Sequence, residues 1–195
     1  MDAESHGRHA LSLGEFGLPF DLNNKEAYRT GDYSLHEKAL SIYYDAIDEN
    51  LLHSIIWNYT ADNTHEDGDH WNGEDLSIVC KGEPRAIGGW LRPYPMLTAG
   101  IPLCFKWCKD EVSFYFRYRA DPEIAAPTEI FIPSRWFGNN PSIAVKIPGE
   151  DGSFKSNLLR AKFSPEEQRL FIYNDGYAGD VEVSVNAPRV REGLV

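Results

Sequence analysis

The sequence predicts a mixed protein, in which an α/β region is followed by an all-β region. In the first half, two short apolar runs flank one amphipathic helix, which is the order of a βα repeat. Beyond residue 98 the apolar period changes to two, the period of half-buried strands. Turn residues separate several such runs, as in antiparallel β-sandwiches. We therefore predict one domain over 1–98 and a β-sandwich over 99–195.

Composition and charge limit the possible functions. The chain has 195 residues, 42% of them hydrophobic, so it can bury a sizeable core in one or two domains. Its net charge is -11, with 30 acidic residues against 19 basic ones. Because affinity for nucleic acid depends on clustered Lys and Arg, a nucleic-acid partner is not expected.

Neither a membrane-spanning segment nor a signal peptide is expected from the apolar pattern. No window approaches about 18 consecutive apolar residues, the length that predicts a transmembrane helix. The start, Met1 to His9, is polar and has no apolar core of the kind found in signal peptides. We therefore expect a cytosolic protein.

The first candidate for chemistry follows a short predicted strand over residues 10–14. Glu15 comes directly after it, and Gly14, Gly17 and Pro19 around it indicate a turn. In βα repeats of barrel enzymes, catalytic groups stand at the carboxyl ends of the strands. Glu15 is therefore the main catalytic candidate, and the simpler alternative is that it only caps the turn.

A helix and a second strand follow. Ser34 and Glu37 fit a capping box, and apolar residues at helical spacing predict a helix over 35–49. Residues 53–59 are short, apolar and β-branched, which predicts a buried strand. At its end, Trp57 could offer an indole face to a sugar ring, or it could be an ordinary core residue.

An acidic loop follows over residues 60–76, too long for a tight turn and without periodicity. Loops of this length in compact domains are usually functional or mobile. A metal site is one interpretation of its side chains, but the spacing fits neither an EF-hand loop nor an HExxH motif. A solvated loop is favoured, and we predict no metal and no cofactor. The residues concerned are His65, Glu66, Asp67, Asp69 and His70.

The second region begins after two prolines. Residues 84–91 predict a short helix, and the segment Arg92–Pro95 predicts a domain boundary near residue 98. Val112, Phe114, Phe116 and Tyr118 then alternate with polar residues. The predicted strands are 103–108, 112–119, 128–132, 143–147, 157–163, 169–173 and 181–185.

Four stretches in this order resemble a known family. They are Gly14-Glu15-Phe16-Gly17, Trp57-Asn58-Tyr59, the run from Gly68 to Ser77 (GDHWNGEDLS) and the run from Gly89 to Pro95 (GWLRPYP). Together they resemble the endoglycoceramidase-like enzymes of glycoside hydrolase family 5. The chain is most similar to the fungal members, which are glucosylceramidases and steryl-β-glucosidases. The resemblance covers about 10–135 well and the remainder loosely.

The resemblance implies a fold and a set of roles. Residues 1–98 would hold the last two βα units of a TIM-type (β/α)8 barrel, and a β-sandwich would follow. Glu15 would be the nucleophile, and Trp57 would line the sugar subsite. Asp69, Trp71 and Asn72 would be further substrate-binding candidates on the acidic loop. The parent enzyme would be an O-glycosyl hydrolase that cleaves a β-glucosidic bond of a glycolipid, either glucosylceramide or a steryl glucoside.

The chain also departs from the family pattern. A complete barrel needs roughly 250 residues. The acid/base Glu, which the family carries in an Asn-Glu-Pro motif, is absent from this sequence. A retaining glycosidase needs two carboxyl groups roughly 5–5.5 Å apart, so we expect this fragment to be inactive alone. A peripheral contact with membrane lipid is compatible with a glycolipid substrate, and the oligomeric state is left open.

A different class of function remains open at this point. The β-sandwich could bind carbohydrate or lipid without catalysis, or it could be a structural brace. An exposed row of aromatic residues would favour binding, and their full burial against the barrel would favour the brace. The aromatic residues in question are Trp107, Tyr115, Tyr118, Trp136 and Phe137.

Overall fold

The computed structural model describes residues 11–149, 154–156 and 159–188, which fall into two compact units. The units divide between Leu91 and Arg92. Residues 1–10 of the first predicted domain and residues 189–195 of the second lie outside the described residues. So do the first residue of the strand expected at 10–14 and the first two of the strand expected at 157–163.

The first unit has the predicted order of strand, helix and strand. The strands β1 and β2 pair in parallel, with Ser12 opposite His53 and Phe16 opposite Ile56. The elements are β1 (Ser12–Phe16), α1 (Leu22–Thr30), α2 (Ser34–Glu49), β2 (His53–Ile56), β3 (Val79–Cys80), β4 (Glu83–Pro84) and α3 (Ile87–Trp90).

Helix α2 forms as predicted, but its start is stabilised differently. The Ser34 amide donates to the Asp32 carboxylate at 2.8 Å, and no capping box forms. The Glu37 carboxylate instead accepts a hydrogen bond of 3.0 Å from the Gly88 amide of α3. The two helices approach so closely that a Cβ on Gly89 would lie 2.8 Å from the Cα of Glu37. Glu37 therefore connects α2 to α3.

The prediction of a buried strand at 53–59 is wrong in length and in burial. Strand β2 ends at Ile56 and alternates between exposed and half-buried residues. Leu13 of β1 is 40% exposed and Ile55 of β2 is 60% exposed. Parallel strands are apolar because they are normally covered on both faces by further elements. Among the described residues, the parallel sheet has only these two strands.

The second unit is built from two antiparallel sheets. One has five strands in the order β10-β9-β13-β7-β6, and the other has four in the order β11-β12-β8-β5. The elements are β5 (Tyr94–Leu97), β6 (Gly100–Cys108), β7 (Ser113–Ala120), β8 (Thr128–Phe131), α4 (Ser134–Phe137), β9 (Ser142–Pro148), β10 (Phe154–Ser156), β11 (Arg160–Ser164), β12 (Arg169–Tyr173) and β13 (Gly179–Asn186).

The two sheets share one hydrophobic core. The predicted alternation along β7 is confirmed, because Phe114, Phe116 and Tyr118 are buried while Arg117 and Arg119 are exposed. Val181, Val183 and Val185 of β13 join them from the same sheet. The other sheet contributes Ile130, Leu170 and Ile172. The period of two along β7 and β13 therefore reflects one buried face and one more open face.

The domain boundary lies earlier than residue 98. Residues Tyr94–Leu97 form strand β5, which pairs antiparallel with β8 in the second unit. The prolines suggested an end to regular structure, but β5 is at the edge of its sheet. An edge strand tolerates proline because one row of its amide groups has no partner strand.

Within the described part of the chain, none of the helices has both the length and the apolar character needed to cross a membrane.

Candidate functional site

The carboxyl ends of β1 and β2 lie side by side. The Trp57 amide donates a hydrogen bond of 2.7 Å to the carbonyl of Phe16, directly after the paired strands. Glu15 is exposed in β1 and Trp57 is half-buried. The Trp57–Asn58 peptide bond is cis. The structure therefore places Glu15 and Trp57 at the same, carboxyl-terminal end of the two parallel strands.

The glycine that follows Phe16 is required by this close approach. A Cβ on Gly17 would lie 2.0 Å from the carbonyl oxygen of Trp57, well inside van der Waals contact. A Cβ on Gly14, at the other end of the motif, would have no atom within 4 Å. Gly17 therefore lets the two strand ends meet, whereas Gly14 has open space around it.

A Gly17→Ala substitution should destabilise the first unit by about 1–3 kcal/mol, because overpacking forces the backbone apart. Urea unfolding followed by circular dichroism measures this loss. Gly14→Ala is the matched control and should be neutral or slightly stabilising. Equal effects of the two substitutions would contradict the assigned close contact.

The acidic loop is held by hydrogen bonds to Asp69, which is 8% exposed. The side-chain amides of Asn58 and Asn63 donate to its carboxylate at 3.1 and 3.0 Å. The backbone amides of Leu76 and Ser77 donate at 2.8 and 3.2 Å. The expected solvated loop is thus an ordered one. Asp69 accepts four hydrogen bonds from the chain itself, which favours a role in holding the loop over the predicted substrate contact.

The tip of the loop presents Trp71 and Asn72. The Glu74 amide donates to the Trp71 carbonyl at 2.9 Å, and φ is 48° at Asn72 and 69° at Gly73. Two positive φ angles at the centre are those of a tight turn that favours Asn-Gly. Trp71 is 61% exposed. The turn therefore leaves this indole accessible, and Asn72 has a conformational reason to be there.

A buried ion pair that sequence reasoning does not reveal lies behind the loop. Arg85 is 2% exposed and Asp75 is 4% exposed. Two guanidinium nitrogens of Arg85 donate to the two carboxylate oxygens of Asp75, at 2.9 and 2.5 Å. The Arg85 Nε also donates to the Ser77 carbonyl at 3.0 Å. The only sequence signal is the position of Asp75 within the GDHWNGEDLS stretch.

The electrostatics keep this pair charged. Burial alone would raise the pKa of Asp75, but hydrogen bonds from Arg85, Tyr28 and Asn63 outweigh it and hold the pKa below its usual value. Burial would lower the pKa of Arg85, but its hydrogen bond to Asp75 raises the pKa above its usual value. For Tyr28, burial and the hydrogen bond to Asp75 both raise the pKa.

One histidine of the acidic loop makes an aromatic contact. His65 stacks on Tyr28 with ring centroids 4.0 Å apart. Burial, followed by the charges of Arg85 and Lys81, lowers the pKa of His65. In residues 11–149, 154–156 and 159–188, no group of three or more His, Cys, Asp and Glu side chains is arranged to hold a metal ion.

Comparisons with known proteins point to one class. Residues 92–185 match the Glycoside hydrolase family 5 C-terminal domain. The chain is 33% identical to a glucosylceramidase of Rhizopus delemar, and the match covers 68% of this chain and 23% of that protein. It is 44% identical to an ergosteryl-beta-glucosidase of Saccharomyces cerevisiae over 33% of its length, which is 8% of that protein.

A solved structure agrees with the sequence matches. The crystal structure of Cryptococcus neoformans sterylglucosidase 1 superposes with a TM-score of 0.78 at 26% identity. The match covers 99% of this chain and 30% of that one. The chain thus spans less than a third of the length of each of these three proteins.

These matches show that the chain is similar to glycoside hydrolases over part of their length. The resemblance to glycoside hydrolase family 5 is confirmed, and residues 92–185 match the C-terminal domain of that family.

Proposed function

We propose that the chain is the carboxy-terminal part of a retaining glycoside hydrolase that cleaves a β-glucosidic bond of a glycolipid. The adjacent carboxyl ends of β1 and β2 carry the proposal, since they place Glu15 and Trp57 at one edge. The relatives include a glucosylceramidase and an ergosteryl-beta-glucosidase. Either lipid fits the proposal, and a cytosolic location and a peripheral contact with membrane lipid remain predictions.

In this proposal the first unit is the end of a (β/α)8 barrel and the second unit is the β-sandwich that follows it. We call the chain joined to six preceding βα units the parent polypeptide. The exposed apolar residues Leu13 and Ile55 support this, because further barrel strands and helices would cover them. The low coverage of the relatives supports it as well.

The proposed chemistry uses one carboxylate from this chain. The Glu15 carboxylate attacks the anomeric carbon and forms a glycosyl ester as the bond to the lipid oxygen breaks. The parent polypeptide supplies the second carboxyl group, which protonates that oxygen. The indole of Trp57 packs against the apolar face of the sugar, and Trp71 and Asn72 are further contacts at the loop tip. Because the second carboxyl group comes from the parent polypeptide in this proposal, we expect the chain alone to be inactive on the glycolipid.

A structural role for the second unit is the better of the two non-catalytic alternatives. Trp107, Tyr118 and Phe137 are buried in its core. Tyr115 and Trp136 are half-buried. None of these five aromatic residues is exposed, so they do not form a binding row. We therefore propose a structural role for the second unit rather than carbohydrate or lipid binding.

Covalent labelling tests the role of Glu15. An activated probe, 2,4-dinitrophenyl 2-deoxy-2-fluoro-β-glucoside, needs no general acid because dinitrophenolate leaves unaided. We expect the parent polypeptide to release one dinitrophenolate and to carry the fluoroglucosyl group as an ester on Glu15, located by mass spectrometry of peptides. Glu15→Gln should remain unlabelled. Labelling of another carboxylate, or of none, would reject Glu15 as the nucleophile.

A further inference from the structure

A continuous series of hydrogen-bonded polar side chains, half-buried at Asn58 and buried beyond it, connects the end of β2 with Arg85. Asn58, the neighbour of Trp57, donates to the Asp69 carboxylate at 3.1 Å. The side-chain amide of Asn63 donates to both carboxylates, at 3.0 Å to Asp69 and 2.8 Å to Asp75. Asp75 is in turn paired with Arg85. The two ends of the acidic loop are therefore tied to a single cation.

The turn that carries Trp71 is connected to the same series of hydrogen-bonded side chains. The Asp69 amide donates to the Glu74 carbonyl at 2.9 Å, and the Glu74 amide donates to the Trp71 carbonyl at 2.9 Å. Asp69 therefore connects the turn on one side with Asn58, beside Trp57, on the other. A displacement of Asp69 would move both indoles.

Arg85 also holds the loop that follows β1. Its guanidinium lies over the Phe20 ring, 4.2 Å from the centroid. The Phe20 amide donates to the backbone carbonyl of Asp75 at 2.7 Å, and the Tyr28 hydroxyl donates to the Asp75 carboxylate. The segments after β1 and after β2 thus meet at the Arg85–Asp75 pair. These are the segments that follow Glu15 and Trp57.

The geometry requires arginine at this position. The guanidinium forms a two-pronged contact with Asp75, donates to the Ser77 carbonyl and stacks on Phe20 at the same time. A lysine ammonium is a point charge and cannot make the planar fork and the stack together. Arg85→Lys therefore keeps the positive charge but loses the two-pronged contact with Asp75 and the stacking on Phe20.

We propose that Arg85 is a positioning residue that, acting through Asp75, Asn63 and Asp69, fixes the rings of Trp57 and Trp71 for a sugar. The proposal rests on the function proposed above, in which these two indoles contact the glucosyl group. Arg85 itself touches no substrate. Its contribution is to hold the loop in one arrangement before binding, so that binding does not have to order it.

Fluorine NMR tests this in the 195-residue chain. The five tryptophans are labelled as 5-fluorotryptophan and their signals assigned by Trp→Phe substitutions. In Arg85→Lys we expect the Trp57 and Trp71 signals to shift or broaden, while those of Trp107 and Trp136 stay unchanged. Arg160→Lys is the matched control, since the Arg160–Asp175 pair is exposed, and it should leave both loop signals unchanged. Unchanged Trp57 and Trp71 signals in Arg85→Lys would overturn the proposal.

A second variant separates positioning from loss of the fold. Trp90 donates from its indole nitrogen to the Arg85 carbonyl at 2.7 Å, so its signal reports whether this region remains folded. If Arg85→Lys also loses the native Trp90 signal, Tyr28→Phe decides, because it removes only one donor to Asp75. Shifted Trp57 and Trp71 signals beside a native Trp90 signal support positioning. Unchanged signals overturn it.

Titration of the parent polypeptide with methyl β-D-glucopyranoside separates this inference from the proposed function. The Trp57 and Trp71 signals of the wild type should shift as the sugar binds, and Arg85→Lys should bind the sugar about tenfold more weakly. If neither signal of the wild-type parent polypeptide responds to the sugar, the assigned role of the two tryptophans is overturned, and with it the positioning role. Equal affinity of the wild type and Arg85→Lys would overturn positioning alone.

Discussion

Glu15→Gln in the parent polypeptide should lower kcat by roughly 10⁴-fold or more, as expected when a covalent nucleophile is removed. A neutral amide oxygen is a poor nucleophile and cannot form the glycosyl ester. The exchange preserves size, and Glu15 is exposed, so folding should be unaffected. Release of nitrophenolate from 4-nitrophenyl β-glucoside measures the rate.

The matched control for this substitution is Glu49→Gln. Glu49 is an exposed carboxylate at the last residue of α2, before β2 begins, while Glu15 lies near the carboxyl end of β1. We expect wild-type kcat and KM for this variant. Substantial turnover by Glu15→Gln would show that another carboxylate forms the ester.

Asp75→Asn should lower the free energy of unfolding of the first unit by about 3–5 kcal/mol, because removing one partner leaves a buried guanidinium without its counter-charge. Asp75 also accepts from Tyr28 and Asn63, so the substitution disturbs more than one hydrogen bond. Urea unfolding at about pH 7, followed by the circular dichroism of the chain, measures the loss. Glu66→Gln removes an exposed ion pair with Lys81 in the same loop and should cause no measurable change.

The same pair predicts a pH dependence with a defined sign. The pKa of Asp75 is lower in the folded chain than its usual value, so its contribution to stability is complete above about pH 4. That contribution is lost as the pH falls below the unfolded-state value and through the folded one. Asp75→Asn should therefore lose stability less steeply than the wild type as the pH falls from about 5 to about 2. Parallel pH profiles for the two chains would contradict an ionised Asp75.

Much of the fold can be predicted because several elements leave a periodic pattern of apolar residues in the sequence. Helix α2 begins within one residue of the predicted start, since its apolar face repeats at helical spacing. Strands of the second unit, such as β7 and β13, are recognisable from their period of two. Strand β5 escapes prediction because Pro95 looks like a terminator, and only the sheet order shows that it lies at an edge.

The candidate site can be predicted only in part. Glu15 and Trp57 are recognisable because a βα repeat dictates where strand ends lie, and the parallel register agrees with that rule. The Arg85–Asp75 pair cannot be found in this way. Asp75 lies in a polar loop and Arg85 follows a proline, and nothing in their spacing shows that both are buried. Burial of a charge is a property of the folded chain, so the sequence alone favours a solvated loop.

The exposed residues Leu13 and Ile55 would affect how much of the chain accumulates in a cell. In the part of the chain that the structure describes, the parallel sheet has two strands and exposes these aliphatic side chains, as a folding intermediate does when its core is incomplete. Chaperones bind such exposed apolar surfaces, and proteases degrade the chains that remain bound to chaperones. The abundance of this chain when produced alone would therefore be set by quality control, whereas the antiparallel unit that follows in the sequence carries its own closed core.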